Sequence, residues 1–215
     1  CLILALIRYE GKKEVPNKDN LLVIHGGPPC QPFSNSGRQL GEEDSRNMVP
    51  EFFRSVNELL PDAFIMENVP ALGSAKFSPY LDSELKRNVS HSYFYKKFYM
   101  FAPNFGVPQQ RNRLFIVGFK KNVNFQFPTP PETSTRLGNI LQKKVSSKYT
   151  ISDKLWAGAQ ARKQKHLDKG YGFGYSLFDR DAEYTSTISA RYYKDGSEIL
   201  IKQKNNNPRK LTPLE

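Results

Sequence analysis

A short apolar run, Leu21-Leu22-Val23-Ile24-His25, stops abruptly in Gly26-Gly27-Pro28-Pro29-Cys30-Gln31-Pro32-Phe33-Ser34. An unbroken apolar run ended by Gly and Pro reads as a strand buried on both faces, as in a parallel sheet. The glycines and prolines then make a rigid turn at its C-terminal end. In open α/β sheets that edge is where ligands bind. A lone cysteine is by default an inert core residue. Cys30 is placed differently: a turn rich in backbone N–H groups, with arginines available, stabilises a thiolate and makes it a usable nucleophile.

The segments that follow extend the α/β pattern. From Met48 to Leu60 the apolar residues Val49, Phe52, Phe53, Val56, Leu59 and Leu60 recur at helical spacing, with Pro50 tolerable in the first turn. Ala63-Phe64-Ile65-Met66 predicts a second strand running into Glu67-Asn68-Val69-Pro70, and Tyr80 to Val89 a weaker helix. Strand, helix, strand, helix implies a right-handed α/β layer. Tyr93 to Phe101 and Leu114 to Phe119 read as a strand pair at the sheet edge, joined by a link containing Pro and Gly. After Phe127 the texture changes to clustered prolines and a stretch rich in Lys, Gly and Tyr, which places a domain boundary there: residues 1–127 and 128–215. The polar run Lys202 to Asn207 reads as a solvated loop.

Charge divides the same way. Residues 1–135 hold 16 basic and 13 acidic residues, net +3, whereas residues 136–215 hold 16 and 8, net +8. A basic region of that kind predicts a polyanionic partner, nucleic acid before acidic membrane surface. The longest purely apolar run, Leu2 to Ile7, is six residues, far below the roughly 20 of a membrane helix. Two cysteines far apart make no disulfide framework and no metal spacing, which fits a reducing cytoplasm. His25, His91 and His166 are read as structural. A first residue of Cys followed by an apolar run reads as a chain entered part-way.

Four strings, in order, carry a family resemblance. Gly27 to Gln31, Glu67-Asn68-Val69, Gln109-Gln110-Arg111-Asn112-Arg113 and Arg209-Lys210-Leu211-Thr212-Pro213 resemble the Gly-Pro-Pro-Cys-Gln, Glu-Asn-Val, Gln-x-Arg-x-Arg and Arg-x-x-Thr-Pro motifs of cytosine-5 DNA methyltransferases of the prokaryotic restriction-modification type. The resemblance implies a Rossmann-like class I methyltransferase core, incomplete here, with a small irregular target-recognition domain. It implies transfer of a methyl group from S-adenosylmethionine to C5 of a flipped-out cytosine in duplex DNA, in a bacterial cytoplasm at the nucleoid, alongside a cognate restriction endonuclease that need not bind stably.

The chemistry asks for these residue types. C6 of cytosine is a poor electrophile, so attack by Cys30 requires a proton donor at N3, and Glu67 is the carboxyl the motifs offer. Arg113, supported by Arg111, is suited to hold the cytosine carbonyl and the Glu67 side chain through forked hydrogen bonds. By resemblance, Pro29 and Val49 form part of the cofactor wall, while the family's Phe-x-Gly-x-Gly loop and its acidic partner have no counterpart before Leu21, so the chain alone is expected to be inactive and to bind cofactor weakly. A base within a duplex must be flipped out to meet a thiol, and Gln31 to Asn47, holding Gly37 and Gly41, is the candidate mobile loop. Pro130 to Asn207, with Tyr171, Tyr175, Tyr192 and Tyr193, suits phosphate contact and base-edge reading. Two alternatives stay open: an RNA cytosine-5 methyltransferase on the same motifs, and a non-catalytic DNA-binding relative.

Overall fold

A computed structural model describes residues 21–34, 39–131, 135–170, 172, 174–194 and 196–215. The Leu2 to Ile7 run, Gly37 and Tyr171 lie outside the described residues. The chain divides into two compact units, one of residues 1–100 and 112–129, the other of residues 101–111 and 130–215.

The first unit is α/β. Its elements are β1 (Val23–Gly26), α1 (Val49–Leu59), β2 (Ala63–Asn68), α2 (Ser78–Asn88), β3 (Phe94–Phe101) and β4 (Asn112–Phe119). The strands form one sheet in the order β1-β2-β4-β3. β1 and β2 are parallel, with Val23 beside Ala63 and Gly26 beside Met66. β2 and β4 are antiparallel, with Ala63 opposite Phe119 and Asn68 opposite Leu114. β1 and β2 therefore end at the same edge of the sheet, and each hands over there to a motif singled out in the sequence.

Strand alternation sends Ile24, Phe64, Met66, Leu114 and Ile116 into a common core. α1 supplies Phe52, Phe53 and Val56 from one face, and the rings of Phe52 and Phe53 meet Phe64 edge-on at 6.2 and 6.1 Å. Each of these phenylalanines contributes about 1.5–3 kcal/mol by leaving water. Phe64 fits because its cross-strand partner is Gly118: a Cβ at that position would sit 2.2 Å from the ring. Pro50 lies in the first turn of α1, and Leu60 ends it in a left-handed conformation at φ 46°.

One expectation fails here. Both faces of β1 were to be buried, yet Val23 is 47% exposed and His25 is exposed, as is Ile65 beside it on β2. Among the described residues, α1 and α2 share a cluster with the Ile24 face alone, and none of them encloses the opposite face.

The second unit is mostly irregular, with short 3-10 turns, the parallel pair β5 (Ser176–Phe178) and β6 (Ile199–Ile201), and isolated bridges such as Thr150 to Arg209. Its core is small: Leu137, Leu141, Tyr192, Ile199, Ile201 and Leu211. It also holds a helix the apolar periodicity does not announce, α3 (Asp153–Leu167), of whose residues Ala159 is buried. α3 is amphipathic only weakly. What starts it is local: Ser152 caps it by accepting from the Leu155 N–H at 3.4 Å, and Asp153 lies in its first turn. The link 101–111 between β3 and β4 belongs to this unit, where Gln110 N–H donates to Thr185 O at 2.7 Å.

Candidate active site

Cys30 stands four residues past the end of β1, half-buried, as a free thiol. The turn around it closes on its own carbonyl, which accepts from Phe33 N–H at 3.0 Å and from Ser34 N–H at 2.9 Å. Phe33 anchors the turn from below. Its fully buried ring meets Phe77 edge-on at 5.3 Å and stacks on Tyr80 at 5.8 Å. A second tie comes from the end of β2, where the buried Asn68 amide donates to Pro28 O at 3.1 Å while its oxygen accepts from Val69 N–H at 2.8 Å. The Glu-Asn-Val string thus holds the Pro-Pro-Cys turn by a side chain that sequence reasoning assigned no role. The signal was its adjacency to Glu67: a small amide beside a candidate acid at a strand end is suited to fix a neighbouring loop.

Glu67 precedes Asn68 and points to the other face of the sheet. One carboxylate oxygen takes Arg113 Nε at 2.8 Å, with the two side chains 35% and 21% exposed, so the pair is ordered yet open to a ligand. The other oxygen lies against the turn that carries Cys30: a Cβ on Gly27 would sit 3.2 Å from Glu67 Oε2. Gly27 keeps that space clear. Arg113, on β4, also donates from Nη1 to Asn112 O at 2.6 Å. The geometry thus brings Glu67 and Arg113 into contact and sets Glu67 beside the turn that carries Cys30. Arg111 belongs to the second unit, exposed, with its carbonyl accepting from Ala102 N–H at 2.8 Å.

Of the two expected cofactor-wall residues, Pro29 is half-buried and keeps accessible surface at this edge, whereas Val49 is wholly buried in the core. Asn47 fixes the start of α1: its Oδ1 accepts from Val49 N–H at 3.2 Å, and its Nδ2 donates to Tyr80 Oη at 2.7 Å. Burial pushes the Tyr80 phenol up to about 12, so it stays protonated. The Gln31 to Asn47 segment is pinned at its base by Gly41 N–H donating to Pro32 O at 2.9 Å. Near its far end the Arg46 guanidinium grips Asp44 with two bonds of 2.9 and 2.7 Å and holds that carboxyl at about 2. Among the described residues, no group of three or more His, Cys, Asp and Glu is arranged to hold a metal ion, and no helix is long and apolar enough to cross a membrane.

The tyrosines of the basic region divide. Tyr192 is buried and structural, its hydroxyl donating to Ile199 O at 2.7 Å and accepting from Leu211 N–H at 2.8 Å. Tyr175 packs on Trp156 at 4.7 Å with Lys163 Nζ over its ring at 4.5 Å. Tyr193 is 76% exposed.

The chain is 49% identical to the Type II methyltransferase M1.ScrFI of Lactococcus lactis subsp. cremoris over 95% of its length and 53% of that protein's. It is 46% identical to M.SsoII of Shigella sonnei over 95% of its length and 55% of that protein's. The chain therefore spans about half the length of these curated relatives. Its fold matches the structure of the Entamoeba histolytica methyltransferase EhMeth with a TM-score of 0.65 at 20% identity, covering 89% of this chain and 62% of that one. The family model for C-5 cytosine-specific DNA methylases matches residues 6–215, and the chain belongs to that family.

Proposed function

We propose that the protein methylates cytosine at C5 in duplex DNA, with Cys30 as nucleophile and Glu67 as proton donor. The observation that carries this reading is the Glu67–Arg113 pair at 2.8 Å lying against the Gly27 backbone of the Cys30 turn. An acid, its orienting guanidinium and a thiol then share one edge of the sheet, which is the constellation that addition to a pyrimidine ring requires.

In this reading the Cys30 thiolate bonds to C6 while Glu67 passes a proton to N3, so the ring electrons gather toward C5. Arg113 holds the Glu67 carboxyl in place and offers its remaining N–H groups to the cytosine carbonyl. S-adenosylmethionine, when bound, supplies an electrophilic methyl group on a sulfonium. Loss of the C5 proton to a solvent water then breaks the Cys30–C6 bond, returns the thiolate and restores aromaticity, with the N3 proton going back to Glu67. Pro29 is the side chain present here that fits the cofactor edge. Val49, wholly covered, contributes by shaping the start of α1. The cytosine must leave the helix stack to reach Cys30, and the second unit, with most of the net charge, is assigned to holding the DNA. The Type II names of the relatives support a role in protecting DNA beside a cognate endonuclease.

The test uses a chimera in which this sequence replaces the matching half of M1.ScrFI. The chimera is expected to methylate duplex DNA, and Cys30→Ser to reduce turnover below about one per cent while DNA binding persists, because a hydroxyl is far less ionised than a thiol at neutral pH. Turnover by Cys30→Ser near that of the parent chimera would contradict the assignment.

A further inference from the structure

The start of α2 brings two aromatic side chains to the segment that carries Cys30. Pro79 lies in the first helical turn, where its missing N–H is not needed, and Phe77 and Tyr80, three residues apart, fall on one face. Three stretches of the Gln31 to Asn47 segment converge on that face. At the front, the buried Phe33 ring meets Phe77 edge-on at 5.3 Å and stacks on Tyr80 at 5.8 Å. In the middle, Gly41 lies flat against Phe77: its φ is 63°, and a Cβ there would sit 2.8 Å from the ring. Lys76 Nζ, 4.8 Å from the centre of the same ring, also reaches Gln39 Oε1 at 3.4 Å. At the rear, Asn47 Nδ2 donates to Tyr80 Oη at 2.7 Å.

Tyr80 touches both ends of the segment, the front with its ring and the rear with its hydroxyl. The front contact bears on the thiol, because Phe33 N–H donates to Cys30 O at 3.0 Å and a shift of the Phe33 ring is passed to the turn. The rear contact fixes where the chain enters α1, because Asn47 Oδ1 accepts from Val49 N–H at 3.2 Å. Between them, Gly41 N–H donates to Pro32 O at 2.9 Å and draws the segment into a neck. Filling space beneath the turn would ask only for an apolar ring, whereas Tyr80 is half-buried and carries a hydroxyl that meets an amide 33 residues away. A side chain packed on one stretch and hydrogen-bonded to another sets the separation of the two, which is how a reacting group is held by the residues around it.

We propose that Tyr80 is a positioning residue for the Cys30 thiol, holding the Phe33 turn and the Asn47 end of the segment at a fixed separation on the start of α2. It acts through Phe33 and Asn47 and touches no reacting atom. The proposal rests on the reading of Cys30 as nucleophile, and names what keeps that nucleophile in place.

The experiment measures covalent adduct formation on a 5-fluorocytosine duplex in the M1.ScrFI chimera, as the rate at saturating DNA and as Kd for the duplex, beside amide hydrogen exchange in the 215-residue chain. Tyr80→Leu, which removes stacking and hydroxyl together, should slow the saturated rate roughly 50-fold with Kd within about twofold of the parent. In the chain it should cost protection at the Phe33, Ser34 and Gly41 amides and leave β1 and β2 protected. Tyr80→Phe restores the ring and should recover the rate to about fivefold below the parent, the share of the lost hydroxyl. Asn47→Ala should also slow the adduct, and its combination with Tyr80→Phe should be no slower than Asn47→Ala alone, because the two act through one hydrogen bond. As a control, Asp82→Ala releases the exposed Lys97 pair on the same helix and should keep the parent rate. Circular dichroism melts identify a Tyr80→Leu protein that has lost its fold, and in that case the Tyr80→Phe and Asn47→Ala cycle decides. A folded Tyr80→Leu with the parent rate, or rate losses of Tyr80→Phe and Asn47→Ala that multiply, would overturn the positioning role while leaving Cys30 the nucleophile. Adduct formed by Cys30→Ser at the parent rate would overturn both.

Discussion

The two units of this chain are held together by different means. In the first, regular strands and helices bury a continuous apolar cluster in which Phe52, Phe53 and Phe64 interlock. In the second, six core residues are supplemented by polar ties: the Arg209–Glu215 pair, the Tyr192 hydroxyl bridging Ile199 and Leu211, and Arg180 donating to Gly138 O and Leu141 O. A rigid apolar frame suits the site proposed there, where Glu67 and Cys30 would have to hold position. A polar, irregular scaffold can display cations on many short segments, at the expense of depending on a few buried charges.

That contrast can be broken by mutation, and the largest effect is expected in the first unit. Phe64→Ala should cost about 4 kcal/mol by opening a cavity beneath α1, read as lost hydrogen-exchange protection in β1, β2 and α1. Protection lost equally in β5 and β6 would show that the units do not differ as described. Next, Glu215→Gln should cost about 3 kcal/mol, because it leaves the 7%-exposed Arg209 guanidinium without its charge partner. Its losses should fall on the second unit. The same pair carries a pH dependence. Burial pushes the Glu215 carboxyl up, but Arg209 and the N–H groups of Thr212 and Gln142 pull it below its ordinary value. A carboxyl lowered by folding stabilises above its unfolded value near 4.3 and loses that contribution as pH falls through its folded value. The second unit should therefore lose protection below about pH 4.3, and Glu215→Gln should remove that dependence. The smallest effect is expected at the cap of α3, where Ser152→Ala should cost about 1 kcal/mol and fray the helix start. A loss several times larger would mean that α3 is packed more firmly than its single buried residue implies.

The same contrast explains what the sequence made legible. α1, expected from Met48 to Leu60 and found as Val49–Leu59, announces itself by apolar spacing, and so do β2 and the β3–β4 pair. α3 does not, because a helix that buries little leaves no apolar stripe, and its cap and helix-forming composition were the signals to weigh. The open face of β1 was hidden because Val23 is apolar whether covered or not. At the site, Cys30, Glu67 and Arg113 could be singled out by type and order. Asn68, Asn47 and Tyr80 act through contacts 33 to 40 residues away in the chain, which no local pattern encodes.

The central claim is that the first unit performs the chemistry and the second grips the DNA. It is tested most directly in the M1.ScrFI chimera by the rate of covalent adduct formation on a 5-fluorocytosine duplex at saturating DNA, resolved by denaturing gel. Glu67→Gln should slow the adduct by about 100-fold or more with the salt slope of binding unchanged, whereas a variant with several Lys and Arg between Arg136 and Lys204 changed to Gln should form adduct at the parent rate once saturated. Adduct formation by Glu67→Gln at the parent rate would contradict the account.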